Sequence, residues 1–198
     1  MAKPSTKQRL IDAAGRRFYR DGFRNVGIDQ ILADVGISKT AFYKHFESKD
    51  DLMLAALEDH HREMEAVFRA MLLERGGDSP LGQLHALLDV VEHFIETDDF
   101  QGCIFVNAAI EFPLLHEPAH RAAAQSKQTI EDLVCSIAID AGASDPRRLA
   151  RELCLIMEGA YVTRHVSGTK GIADVARRVA ALVINAACPA NAVHQAVC

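Results

Sequence analysis

The stretch from Gly27 to Phe46 constrains the fold of this chain more than any other. Ile28, Ile31, Leu32 and Val35 recur at i, i+3, i+4 and i+7, the spacing of one apolar helical face. Gly36 supplies a stop, because glycine enters the left-handed conformation without steric cost. Ile37 turns back toward the core, and Ser38 is a suitable N-cap for a second helix. Phe42 and Phe46, four apart, share the inward face of that helix. At about 100° per residue, Thr40 and Lys44 point roughly 160° away from Phe42, and Tyr43 lies about 100° to one side. A short helix held by two phenylalanines, with a hydroxyl, a phenol and a cation facing out, is the layout of a helix-turn-helix that reads DNA.

The neighbouring residues narrow this layout. Gly22-Phe23 precede it, Ile28-Asp29, Ile31 and Val35 to Lys39 run through it, and Phe42-Tyr43, His45-Phe46, Ser48-Lys49 and Leu52 follow. A first helix from Thr6 to Tyr19, with Ala13, Ala14 and Phe18, stands in front. Over roughly the first 55 residues this pattern resembles the tetracycline-repressor (TetR) family. The chain departs from the family's habit at three positions. Gly27 stands where a hydroxyl often caps the second helix, Leu32 where a small residue is common, and Thr40 where glycine is common. Glycine is a tolerable N-cap, so the departures bear on the bases read through Thr40 and not on the fold.

The resemblance implies a DNA-binding transcriptional regulator, a repressor released from a palindromic operator by a small-molecule or electrophile inducer. Residues 1–50 are then the helix-turn-helix DNA-binding head, and residues 51–198 a ligand-binding and dimerisation body. Lys39 and Thr40 are the candidates for base contacts, and Tyr43, Lys44, His45 and Lys49 for phosphates. In the family, the residues matching Tyr43 and Lys49 resemble backbone-positioning contacts. Lys49 lies in the first turn of its helix, where unpaired backbone N–H groups add to its charge.

Helical periodicity continues to the end of the chain. Ser5 with Gln8 can form a capping box, and Leu10, Ala14 and Phe18 line an inner face that ends at Asp21-Gly22. Arg16, Arg17, Arg20 and Arg24 are left for the surface. Ser48 opens a helix that can reach Arg75, on the order of 40 Å, before Gly76-Gly77. Further helices span 79–97 (Ser79 as N-cap, Pro80 next), a short apolar segment from Phe100 to Pro113, then 117–141, Asp145 to Gly168, and Ile172 to Ala187. The tail Pro189–Cys198 reads as frayed. With no strand-like alternation and no internal repeat, the chain is all-α with about nine helices.

Charge is distributed unevenly. The chain carries a net −5, yet residues 1–50 hold ten Lys/Arg against six Asp/Glu. A basic first quarter on an acidic body suits one end meeting phosphates. No run of 18 apolar residues could span a membrane, and the polar N-terminus reads as lacking a secretory signal. Five cysteines without a Cys-x-x-Cys pair argue for a reduced, cytoplasmic setting.

The body invites two expectations. Met157-Glu158-Gly159-Ala160, followed by Gly168 and Gly171, resembles the family's end region, where two helices pair with their symmetry mates in a homodimer. A two-fold dimer also suits a short recognition helix, because it presents two readers to a palindrome. Met64, Phe68, His85, Leu88, Phe94, Phe105, Asn107, Phe112 and Tyr161 could line an effector pocket. Each is equally an adequate core residue. Cys103 follows Gly102 at a helix start, where exposed N–H groups favour a thiolate. Its Gln-Gly-Cys setting is similar to that of TetR-type regulators of the NemR kind, which sense electrophiles or oxidants. A small buried residue at a helix start is the plainer reading of the same cysteine.

Other chemistry finds little support. His60-His61 and His116 with His120 lack companion ligands at zinc-site spacing. No nucleophile elbow, phosphate loop or dinucleotide fingerprint occurs, so neither an enzyme nor a bound cofactor is expected. The rival from another class is an all-α ligand-binding or scaffold dimer without specific DNA binding, and salt dependence separates the two.

Overall fold

The structure, a computed structural model, describes residues 4–188; the tail Pro189–Cys198 lies outside the described residues. The chain runs through α1 (Thr6–Asp21), α2 (Ile28–Val35), α3 (Lys39–Phe42), α4 (Lys49–Gly76), α5 (Pro80–Ile95), α6 (Ile104–Glu111), α7 (Pro118–Asp140), α8 (Pro146–Ser167) and α9 (Ile172–Ala187). Among the described residues there is no strand. The all-α expectation holds, and the helix ends fall within a few residues of those the periodicity set.

The difference lies in the second helix of the helix-turn-helix. It was expected to continue to Phe46, but α3 ends at Phe42 and Tyr43–His45 form a turn. The backbone closes through N–H bonds from His45 (2.8 Å) and Phe46 (3.1 Å) to the Phe42 carbonyl. Ser48 must stand free to cap α4, accepting the Asp51 N–H at 3.0 Å, so the chain has only a few residues in which to leave the helical path.

Two compact units divide the chain, with boundaries inside α4 and α7. The first comprises the described residues up to 64, and 103–127. Its core gathers Leu10, Ala14 and Phe18 of α1, Ile31, Leu32 and Val35 of α2, Phe42 and Phe46, Leu52 and Leu57 of α4, and Ile104, Phe105 and Ala108 of α6. Gly36 takes the left-handed conformation (φ 73°, ψ 43°), which lets both its own N–H and that of Ile37 reach the Leu32 carbonyl. Gly27 has no hydroxyl to offer as N-cap, and Gln30 compensates by accepting the Gly27 N–H at 2.7 Å. Ser5 does cap α1, but Gln8 does not complete the box: its amide donates to Asp12 and Asp59 instead.

The longest-range tie in this unit runs from α6 to the end of α1. The Glu111 carboxylate accepts the backbone N–H groups of Phe23 (2.9 Å) and Arg24 (2.7 Å), and Arg24 Nε donates back to the Glu111 carbonyl at 2.9 Å. Phe112 flanks this junction, edge-on to Phe23 and beneath the Arg24 guanidinium.

The second unit comprises residues 65–102 and the described residues from 128 onward. Its core joins Phe68 and Leu72 of α4, Leu84, Leu87, Leu88, Val91 and Ile95 of α5, Val134 and Ala138 of α7, Leu149, Leu153 and Met157 of α8, and Ala173, Ala180 and Ile184 of α9. Arg177 on α9 bonds to Asp89 (2.7 Å) and Glu92 (3.0 Å) of α5 and to Asp174 of its own helix.

Replacing Glu111 by Ala strands two backbone donors that the native loop satisfies with one carboxylate. We expect a loss of about 1–3 kcal/mol in urea unfolding. An unchanged midpoint would show that water serves those donors equally well.

Candidate nucleic-acid interface

Everything that reaches outward on the helix-turn-helix depends on what is buried behind it. Phe42 and Phe46 are buried and stack at 5.8 Å, and they fix the roll of α3 and the turn after it. Ser38 begins α3 by accepting the Ala41 N–H at 3.2 Å. Lys39, Thr40, Tyr43, Lys44 and His45 are all exposed. Tyr43 packs edge-on against Phe42 at 5.2 Å while 56 % of its surface remains open, so its phenol is held upright without being covered. Lys39 sits 3.8 Å from Asp29 across the turn, a solvent-exposed pair that constrains it little.

Lys49 differs from the other five. It is half-buried, donates its ammonium to the Phe23 carbonyl at 2.6 Å and lies 5.8 Å from the Phe18 ring centre. Behind the outward face, Arg17 grips Asp34 of α2 through two nitrogens, at 2.6 and 2.8 Å, and that hydrogen-bonded pairing holds the Asp34 carboxyl below its ordinary range. The Arg20 guanidinium, with Arg17 assisting, holds the Asp21 carboxyl down to about 2. Arg9 closes on the Val35 carbonyl. Of the four arginines left for the surface by sequence, Arg17, Arg20 and Arg24 are engaged within the unit and Arg16 is exposed.

The candidate effector residues fall into two groups. In the first unit Phe105 is buried, Cys103 and Phe112 pack at the edge of the same core, and Met64 and Asn107 are half-buried. Phe105 faces His60 and His61 at 5.7 and 6.3 Å, and burial pushes the His60 imidazole below its ordinary pKa. Cys103 is the N-cap of α6, in extended conformation, and its carbonyl accepts the Asn107 N–H at 2.9 Å. In the second unit Phe68 and Leu88 are buried, Phe94 and Tyr161 pack against the core, and His85 is exposed. His61 Nδ1 lies 3.0 Å from Ser126 Oγ and His120 Nδ1 lies 2.9 Å from the Phe112 carbonyl. Among the described residues no three His, Cys, Asp or Glu gather as metal ligands.

Two residues gained importance only from the structure. Glu111 has no local sequence signal, since its partners lie 87 and 88 positions away. Arg164 did have one: it continues the inward series Leu153, Met157, Ala160 at spacings of four, three and four.

Comparison with known proteins agrees with this geometry. Residues 10–56 match the family described as bacterial regulatory proteins, tetR family. Residues 80–180 match the Tetracyclin repressor-like C-terminal domain. The structure superposes on a TetR-family transcriptional regulator from Streptomyces coelicolor with a TM-score of 0.82 and 29 % identity, covering 92 % of this chain and 95 % of that one. A curated relative, an uncharacterized HTH-type transcriptional regulator of Lactococcus lactis subsp. lactis, is 28 % identical over 114 residues, 57 % of this chain. The chain spans 58 % of that relative's length. Escherichia coli NemR in its reduced form superposes with a TM-score of 0.77, over 88 % of this chain and 94 % of that one, at 19 % identity, a likeness of fold alone. No helix among the described residues is long and apolar enough to cross a membrane. With both its helix-turn-helix and its C-terminal region matched, the chain belongs to the TetR family of transcriptional regulators.

Proposed function

We propose that this chain is a homodimeric repressor that binds a palindromic DNA operator through residues 1–50 and is released by an inducer held in residues 51–198. The observation that carries this reading is the exposed set Lys39, Thr40, Tyr43, Lys44 and His45 on a helix-turn-helix rolled by two buried phenylalanines. Lys39 and Thr40 read base edges in the major groove, while Tyr43, Lys44 and His45 contact phosphates and set the register. Lys49 supports the helix-turn-helix from behind and reaches a phosphate through an N–H that does not go to Phe23. A regulator of this kind works in the cytoplasm, beside the bacterial chromosome.

Dimerisation is supported by exposed apolar stripes on the last two helices. Leu155 (73 % exposed), Val162 and Val166 (78 %) repeat along α8, and Val175, Val179 and Leu182 (70 %) along α9. Gly159 lies in the α8 stripe with open space where a Cβ would stand, which suits close approach of a second copy. Isologous pairing of such faces buries both stripes at once and presents two reading helices to one palindrome.

The inducer is a small molecule bound among the apolar side chains of the body, or an electrophile that attacks Cys103 at the N-terminus of α6. Labelling of the native protein with a small electrophile should modify Cys103 ahead of buried Cys135. Equal inertness of the two thiols would remove the electrophile route and leave the small-molecule one.

Operator binding measured across a salt series tests the main reading. Tyr43→Ala and Lys44→Ala should each weaken binding on all sequences, and Lys44→Ala, which removes a cation, should also reduce the slope of log affinity against log salt by about one. Thr40→Ala should instead cost about 1–3 kcal/mol on the preferred operator base pair and relax the choice there. Binding that ignores salt and survives these substitutions would favour a ligand-binding scaffold.

Leu155→Asp combined with Leu182→Asp should yield a monomer in sedimentation at micromolar protein. Operator affinity should fall by at least about a hundredfold as the paired reading helices separate. A wild-type monomer at that concentration would overturn the dimer.

A further inference from the structure

The inward face of α8 ends on a cation. Leu153, Met157 and Ala160 are buried, and Arg164 occupies the next position on the same line. It points away from the exposed stripe of Val162 and Val166, from which it is two residues, about 160°, removed. An arginine in the last turn of a helix is ordinarily placed to favour the helix dipole while its head stays in water. Arg164 does not follow that habit: its Nε is shielded from solvent and meets no acceptor among the described residues. By contrast, Arg69, Arg147, Arg148, Arg151 and Arg177 of this unit pair with carboxylates.

The surroundings of Arg164 are aromatic. Its guanidinium lies 6.0 Å from the centre of the Phe100 ring. Phe100 in turn meets Tyr161 at 5.8 Å and His165 edge-on at 6.2 Å. Gly102 follows closely enough that a Cβ there would stand 3.3 Å from the His165 ring, so the segment after α5 lies directly on the end of α8. A guanidinium whose shielded Nε–H meets no acceptor, beside a ring that itself meets two others, has the composition of a site for a flat anion. The Nε and Nη edge of arginine matches the two oxygens of a carboxylate, and the rings receive an aromatic body by offset or edge contact.

We propose that the second unit holds an aromatic carboxylic acid at this place, with the Arg164 guanidinium on the carboxylate and Phe100 against the ring. The proposal rests on the reading of the body as an inducer-binding region and names the chemical class of the inducer. The acid completes the hydrogen bond that the folded chain leaves unmade, and the neutral amide of the same shape does not, because it cannot offer two anionic acceptors.

The test is calorimetric titration of the full-length protein with benzoate and 2-naphthoate, beside benzamide and 2-naphthamide. At least one acid should bind, and about tenfold or more tightly than its amide. Arg164→Met should weaken acid binding by about tenfold or more and leave amide binding unaltered, while Arg164→Lys recovers part of the loss. Without ligand, Arg164→Met should melt no lower than the wild type, since it removes a buried donor with no acceptor. The proposal is overturned if neither acid binds, if acids and amides bind alike, or if Arg164→Met binds acids as the wild type does. It is also overturned if Arg164→Met loses self-association, because Arg164 then pairs with a second copy. Operator affinity measured with and without the acid separates this proposal from the reading beneath it. Acid that binds and leaves operator affinity unchanged removes the inducer role and keeps the site. Operator release by an amide without acid binding keeps the inducer role and removes the site.

Discussion

The burial of Phe42 and Phe46 is the interaction on which the rest of the helix-turn-helix depends. A four-residue helix has no stability of its own, because nucleation costs more than one turn of hydrogen bonds returns. α3 exists because its two phenylalanines enter a core already formed by Phe18, Ile31, Leu32 and Leu52. Burying a side chain of that size contributes about 2–3 kcal/mol, enough to fix one roll angle of a short segment. That roll angle is the functional variable: it decides that Thr40, Tyr43 and Lys44 face out together.

Most of this was legible in the sequence. The reason is that the information is local: an i, i+4 pair of aromatics, a left-handed glycine at Gly36 and hydroxyl caps at Ser38 and Ser48 act within a turn or two of themselves. The same locality explains how well the helix ends were set. Where two local signals compete, sequence reading falters. The helical pattern of α3 runs on to Phe46, but the cap at Ser48 requires the chain to turn first, and the cap prevails. Ser5 and Gln8 show a related failure: a local box was available, yet Asp59, 51 residues on, took the glutamine amide.

The residues that sequence could not assign are those whose partners are distant. Nothing near Glu111 suggests that its carboxylate serves the backbone of Phe23 and Arg24. Lys49 looked like a surface cation at a helix start, and only the folded unit shows its ammonium on the Phe23 carbonyl. Arg164 is intermediate: periodicity puts it on the inward line of α8, but its unmet Nε and its aromatic neighbours belong to the tertiary structure.

Gly22 shows how a local and a distant requirement can coincide at one residue. It ends α1 with φ 83°, a conformation that favours glycine on its own account. A Cβ at that position would also stand 3.1 Å from the Glu111 carboxylate, so the absence of a side chain is what lets the carboxylate reach the two N–H groups beyond. α6 is eight residues long, about 12 Å, with Cys103 as its N-cap and Glu111 as its last residue. An axial shift of α6 as a body is felt at Glu111, its last residue. There it must either break two charge-assisted hydrogen bonds or carry Phe23 and Arg24 along. Phe23 stacks on Phe18 at 5.2 Å and accepts the Lys49 ammonium through its carbonyl, so the second course moves the support of the whole reading face. The end of α6 and the support behind α3 are therefore joined within one compact unit, through one carboxylate and one phenylalanine.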